Sequence, residues 1–289
     1  VNGRLYVPEV WFTDEYAERR KKCGMPEGLQ FQTKIQIAVQ LLEEQMRRAL
    51  LPSRRIGCDS FFGTSGWFRD TVAGWGKLYL AEIQSDILLW PATENEEEKA
   101  QAVSAIGKRE GTEWELEVLA EDSKGPIVAE VSVQRVRENR DNKPVKELWL
   151  IIRRLETGKL KYYLSNAPAD IACEELKAAL LMRWPIEQCF EDGKRYLGMD
   201  HYEHRSWKSW HRHMLYVFLA LLFLLRVRLA LKKTPTLKLP QVQRLLIATF
   251  KHRRLDRSQA AMILKYYTYR NHRAYLAHRK RWLVEKLRL

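Results

Sequence analysis

The stretch that decides the fold is RWPIEQCFEDGKRYLGMDHYEHRSW, residues 183–207. Within it Arg183, Glu187, Glu191 and Lys194 are four, four and three residues apart. Those intervals bring side chains onto one face of a helix. A carboxylate framed by Arg and Lys suits phosphodiester chemistry: the carboxylate holds a divalent metal, and the cations stabilise charge developing on phosphate. The same spacing also describes ordinary surface pairing, which fits Glu191 well. By spacing alone, both readings stand.

Working outward, residues 170–197 read as one helix with a possible break at Pro185, and residues 210–231 as a second. The apolar run MLYVFLALLFLL (214–225) lies in the second. It stops at Arg226 and Arg228, short of the ~20 residues a membrane span needs, so a buried core helix is expected. Residues 241–250 form a third helix after Pro240, and Asp256 caps a last one running toward Leu289. Upstream, residues 5–11 read as extended. Thr33 can cap a helix to about Leu50, with Ile35, Ala38, Val39, Leu42, Met46 and Ala49 on one face. RRIGCDSFFG (54–63) reads as a strand to Cys58, then the carboxylate of Asp59, with a helical turn near Ser65–Thr71 and a strand over 77–86. WELEVLA (114–120) and IVAEVSVQRV (127–136) alternate as antiparallel strands do, and LWLIIRR and LKYYLSN form a hairpin around LETGK.

Charge is unevenly placed in this chain of net charge +14. Residues 91–147 hold 14 acids against 9 bases, whereas residues 251–289 hold 12 bases against 2 acids. In the latter, Arg253, Arg254, Arg257, Arg270, Arg273, Arg279, Lys280 and Arg281 are interleaved with tyrosines and Trp282. Lys and Arg among aromatic rings suit a surface that neutralises phosphates and stacks on bases, so DNA is the expected partner of this patch. For any single residue there, a solvated basic helix explains it as well. Four scattered cysteines with no C-x-x-C pair argue against a zinc scaffold and a disulfide framework, and no secretory signal opens the chain. No phosphate-binding G-x-x-x-x-G-K-[ST] motif is present. His201, His204, His211 and His213 lack the spacing of a zinc helix and are expected to be structural or DNA-facing. Trp184, Trp207 and Trp210 could contact DNA bases, but packing is the expected role, and Cys58 is expected as a small buried thiol.

The spacing Arg183-x3-Glu187-x6-Lys194 resembles the Y-x2-R-x3-E-x6-K signature of the IS4-type DDE transposases, with Leu180 at the Tyr position. The longer text from RWPIE to HRHM, with SKGPI (123–127) and KYYLSNAPAD (161–170), looks most like the IS701-like branch of DDE superfamily endonucleases. The resemblance implies an α/β, RNase H-like catalytic core with a β-rich insertion and a helical C-terminal part. In that division residues 1–90 open the core, 91–147 are the acidic insertion, 148–231 carry the catalytic Glu, and 232–289 form the basic tail. It implies Asp59 and Glu187 as catalytic metal ligands and Arg183 and Lys194 as catalytic cations. It also implies two Mg²⁺ (or Mn²⁺) ions, transposon-end and target DNA as substrates, a homodimer, and a bacterial cytosolic home without a membrane.

By the same resemblance the first catalytic Asp lies upstream of LYVPEVW, so the core is expected to lack its first strand and the chain to begin inside a longer protein. Asp14 and Asp86 are poor substitutes, Asp86 reading as a turn residue. Metal-dependent nicking by this chain alone is not expected. A DNA-binding remnant or a domesticated interaction module remains the alternative.

Overall fold

The computed structural model describes residues 3–49, 52–92, 99–122, 125–231, 238–251 and 256–287. The chain divides into two units: a sheet unit of residues 34–121 and 126–184, and a helical unit of residues 1–33, 122–125 and 185–289. The helical unit's first helix, α1, spans Ala17–Cys23 and ends at Gly24, whose left-handed φ of 69° closes the last turn.

The sheet unit begins with α2 (Lys34–Arg48), directly after Thr33. Its apolar side packs Val39, with Ile35, Ala38 and Leu42, onto the sheet. There follow β1 (Arg55–Cys58), α3 (Ser60–Gly63), α4 (Gly66–Gly74) and β2 (Leu78–Ile83). Next come β3 (Leu88–Pro91), β4 (Gln101–Ala102), α5 (Val103–Ile106), β5 (Glu115–Asp122) and β6 (Gly125–Arg140). β7 (Lys143–Arg154), β8 (Leu160–Ser165) and α6 (Cys173–Ala179) complete it. The strands form one sheet in the order β1-β2-β8-β7-β6-β3-β4, with β5 paired to β6. Only β1 and β2 pair in parallel among the registered neighbours; β2–β8, β8–β7, β7–β6, β6–β3 and β3–β4 are antiparallel. This is a mixed α/β fold with one eight-stranded sheet, consistent with an RNase H-like core. The strands of the acidic segment 91–147 join that sheet rather than pairing only among themselves.

Alternation along β2 shows how the sheet is covered. Tyr79, Ala81 and Ile83 face a core with Val39 of α2, Phe68 and Val72 of α4, and Leu150 and Ile152 of β7. Leu80 faces the other side, where Ile151, Tyr163 and Val131 meet Leu176, Ala179 and Leu180 from α6 and the turn after it. A period of two splits each strand between two apolar layers because both faces are covered. Asn166 locks the end of β8 to β2: its Oδ1 accepts from the Tyr79 N–H (2.7 Å) and its Nδ2 donates to the Lys77 carbonyl (3.0 Å). The β6–β7 hairpin turns at Asp141 and Asn142, both at positive φ (50° and 57°). That is the geometry of a two-residue hairpin turn, which Asp and Asn tolerate best after Gly.

A charged network crosses the first core. Arg69 of α4 and Glu138 of β6 are both buried and meet at 2.5 Å. Arg69 also donates to the carbonyls of Gly63 (2.5 Å) and Thr64 (3.1 Å). Toward solvent, Arg140 reaches Asp70 and Glu138, and Lys146 reaches Asp70 (2.6 Å) and Glu138 (3.3 Å).

In the helical unit two 3-10 turns (Glu9–Phe12 and Asp14–Tyr16) precede α1, so residues 5–11 are extended only to Pro8. The later helices are α7 (Trp184–Leu197), α8 (Trp207–Ala230), α9 (Leu239–Lys251) and α10 (Arg257–Leu287). The expected single helix over 170–197 is two, separated at residues 180–183. Pro185 is the second residue of α7 rather than a break within it. A proline ring clashes with the carbonyl four residues earlier, so a helix can contain it only by restarting just before it.

α8 departs from expectation more strongly. Val217, Leu221 and Leu224 are buried with Met199, Leu239 and Val242. Leu215, Tyr216, Leu219, Leu222, Phe223 and Leu229 are exposed by half or more. The helix is long and apolar enough to cross a membrane by length and composition, yet one side of it is sealed into a protein core. Trp184, expected in packing, is likewise exposed.

Replacing Glu138 by Ala leaves the Arg69 guanidinium buried without its counter-ion. The expected loss is about 3–5 kcal/mol of stability in urea unfolding followed by circular dichroism. Asp70 tests the outer part of the network. Burial raises its pKa, but hydrogen bonds from Lys146 and Arg140 outweigh this and leave it below the ordinary 3.8. A depressed folded-state pKa stabilises above the unfolded value and is lost as pH falls through the folded one. The stability gap between wild type and Asp70→Asn should therefore be level from neutral pH to about pH 5 and close below pH 3.8.

Candidate functional site

The sequence GCDSFFG (57–63) builds a strand–turn–helix at the carboxyl end of β1. Cys58 is buried, and its thiol is pushed up to about 12, first by burial and then by the neighbouring Asp59 carboxylate. It is not a thiolate at neutral pH and is no nucleophile. Asp59 sits at the N-cap of α3: its Oδ1 accepts from the backbone N–H of Phe61 (3.1 Å) and Phe62 (3.3 Å). Asp59 is half-buried. Phe62 turns into the core beside Phe68, while Phe61 is exposed with the Lys34 ammonium 5.5 Å above its ring.

Gly63 ends the motif against β2. A Cβ there would lie 2.0 Å from the Glu82 carbonyl oxygen, which no side chain can occupy. This close approach seats α3 on β2 and thereby holds Asp59 at the strand end.

Beside it, Glu82 of β2 accepts from Arg183 (2.5 Å) and from Lys161 (3.1 Å). Glu82 shares its strand face with Leu80, the face that α6 and Met182 cover. Sequence reasoning missed it, although a Glu at an inward position of LYLAEI was a signal. Arg183 lies in the turn before α7, not on the helix, so the expected four-residue face shrinks to Glu187, Glu191 and Lys194. Arg183 is engaged by a carboxylate on β2.

In the helical unit Glu187 lies in the first turn of α7 and is exposed, where the helix dipole favours a carboxylate. Lys194, two turns on, is also exposed. Glu191 pairs with Arg195 at 3.2 Å, an exposed i,i+4 contact of the ordinary surface kind. Two of the four histidines make backbone contacts: His211 Nδ1 meets the Trp207 carbonyl (2.8 Å), and His213 Nε2 the Met199 carbonyl (3.3 Å), while His201 and His204 are exposed. Asp86 lies in the turn between β2 and β3, and Asp14 opens a 3-10 turn.

Carboxylate oxygens are the right donor type for Mg²⁺ or Mn²⁺. The donor number is not: among the described residues no three His, Cys, Asp or Glu side chains gather as a metal site would require. Asp59 belongs to the sheet unit and Glu187 to the helical unit, and no chemical step is routed through a metal below.

The basic segment becomes α10, a helix of 31 residues, about 46 Å long at 1.5 Å per residue. Asp256 caps it, with Oδ1 accepting from the Gln259 N–H and the Ser258 hydroxyl, both at 2.8 Å. Leu264 and Tyr267 seat it in the core shared with α8 and α9. Arg257, Arg270, Arg273, Arg279, Lys280 and Arg281 are all exposed; Arg253 and Arg254 lie outside the described residues. At about 100° per residue these cations ring the helix instead of forming a stripe. Arg270, Arg273 and Arg279 each lie over the Tyr four residues earlier, at 5.9, 5.8 and 6.0 Å from the ring centre. The two units share the charge unequally: the helical unit holds 29 Lys and Arg against 13 Asp and Glu, a net +16, and the sheet unit 21 against 23, a net −2.

Residues 1–136 match the family model of the DDE superfamily endonucleases. The matched span, a little under half of the chain, contains Asp59 and stops before Arg183, Glu187 and Lys194. It supports the DDE superfamily, whose enzymes are typically divalent-metal dependent and act on DNA. No curated protein matches the chain.

Gly63→Ala forces β2 and α3 apart and is expected to cost about 1–3 kcal/mol or more, while Gly74→Ala, with open space around its Cβ, costs far less. Parallel thermal melts of the two variants check this.

Proposed function

We propose that the chain is the DNA-working part of a transposase of the IS701/IS4-like kind, with Asp59 and Glu187 as two carboxylates of its cleavage and strand-transfer site. The observation that carries this reading is the DDE superfamily match over residues 1–136, within which Asp59 stands at the carboxyl end of a parallel strand. Open α/β sheets place ligand sites at that end. The concentration of positive charge in the helical unit supports DNA as the partner. Lys194 and the exposed cations of α10 are proposed to meet phosphates. Joining two transposon ends to a target calls for two copies of the chain, so a homodimer belongs to this reading. Arg183, held by Glu82, is proposed to position the turn before α7 and not to touch phosphate.

A second reading is that the chain binds DNA without cutting it, which the concentration of positive charge in the helical unit would also serve.

Fluorescence anisotropy with labelled duplex DNA tests the binding. Affinity should fall steeply between 50 and 200 mM salt, because each neutralised phosphate adds about −0.9 to the log–log slope. Replacing Arg270, Arg273, Arg279, Lys280 and Arg281 with Gln should weaken binding at least about tenfold and flatten that slope. Unchanged binding would remove α10 from the interface. With Mg²⁺ added, the chain should leave supercoiled DNA intact. Mg²⁺-dependent nicking that Glu187→Ala abolishes would show instead that the centre is complete.

A further inference from the structure

The two faces of α8 differ in what covers them. Val217, Leu221 and Leu224 are packed into the core of the helical unit with Met199, Leu239 and Val242. On the opposite face Leu215, Tyr216, Leu219, Leu222, Phe223 and Leu229 are exposed by half or more. Along that face Leu215, Leu219, Leu222, Arg226 and Leu229 are four, three, four and three residues apart. This is the spacing of a seam between two paired helices, in which each side chain seats among residues of the facing helix. A lone exposed leucine is ordinary; six large apolar side chains in one stripe mark an interaction surface.

The size of the stripe points to what covers it. The six residues leave about 700 Å² open to solvent, so two copies meeting through them would bury about 1,400 Å², within the roughly 1,200–2,000 Å² of specific interfaces. A bilayer fits less well. The other face of α8 is sealed into protein, so lipid cannot surround the helix. Arg226 also stands within the stripe, where hydrocarbon disfavours a cation.

A second copy accommodates that cation in one orientation. Residues 207–230 contain no Asp or Glu, so no ion pair forms across the seam. A parallel pair would set Arg226 against Arg226 between two rows of leucines. An antiparallel pair sets each Arg226 over the partner's Leu215, near the open end of the contact. There its stem covers apolar surface and its guanidinium reaches water.

We propose that two copies of the chain pair through α8, antiparallel about a twofold axis between Leu219 and Leu222. Leu219 of each copy then faces Leu222 of the other, as an isologous contact requires. The inference rests on the reading above for the second copy as occupant, and it assigns the surface that joins the copies.

Sedimentation equilibrium of the full chain should show a dimer. It should tighten as salt rises from about 0.1 to 0.5 M, because salt screens the repulsion between two units of net charge +16. DNA binding responds to salt in the opposite sense. Leu219→Glu and Leu222→Lys should each weaken dimerisation at least about tenfold, since each puts an unpaired charge in the seam. Both positions are exposed, so the circular dichroism of each variant should match wild type. Mixed in equal amounts, the two variants should dimerise again: the new carboxylate faces the new ammonium at one contact, and Leu faces Leu at the other. A monomer at every salt concentration, a dimer that survives both substitutions, or variants that stay monomeric when mixed overturns the inference. So does flotation of wild type, but not of Leu219→Glu, with phosphatidylcholine–phosphatidylglycerol vesicles, which assigns the face to a lipid surface. Anisotropy reads DNA binding separately. Its failure beside an intact dimer overturns the DNA reading and leaves the α8 contact standing.

Discussion

A guanidinium out of water needs a counter-ion at hand, and Arg69 is almost wholly out of water. Its partner is Glu138, 69 residues away in sequence and equally buried. Because burying either charge alone is costly, the pair can exist only when α4 lies against β6 in one register. That demand organises much of the sheet unit. Arg69 also gathers the carbonyls of Gly63 and Thr64, so the link between α3 and α4 is tied to the same ion pair. α3 is the helix that Asp59 caps. The Asp59 carboxylate is thus positioned, two contacts away, by a buried ion pair.

Charge divides along the same lines as the folding. The sheet unit supplies rigid placement, a carboxylate at a strand end, and almost no net charge. The helical unit supplies +16 of charge and a long cation-ringed helix. Phosphate binding needs many exposed cations and little geometry, whereas holding a metal ligand needs a fixed backbone. On the proposed reading, the exposed cations of the helical unit suit phosphate binding and the fixed strand end suits Asp59.

Local signals were read well. The cap at Asp256, the strand before Asp59, and the LETGK hairpin all rest on contacts within a few residues. β6 and β7 run further than expected, through the charged text RENR-DN-KPVKE, because the Asp141–Asn142 turn keeps the ladder going where composition suggested a loop. Of the proposed site, Asp59 at a strand end and Glu187 on a helix were legible in their local settings. Glu82 was not, since nothing near it in sequence shows that Arg183, 101 residues on, will be its partner.

The sequence by itself determined which segments are helix or strand, where most of them start, and where the charge is concentrated. These depend on side-chain periodicity, caps and composition, all short-range. Only the tertiary structure decided which charges are neutralised, that Arg183 belongs to Glu82, and that the apolar α8 hides one face and shows the other. The physical reason is the same in each case. Burial and ion pairing are properties of a position's surroundings, and those are assembled from residues far apart along the chain.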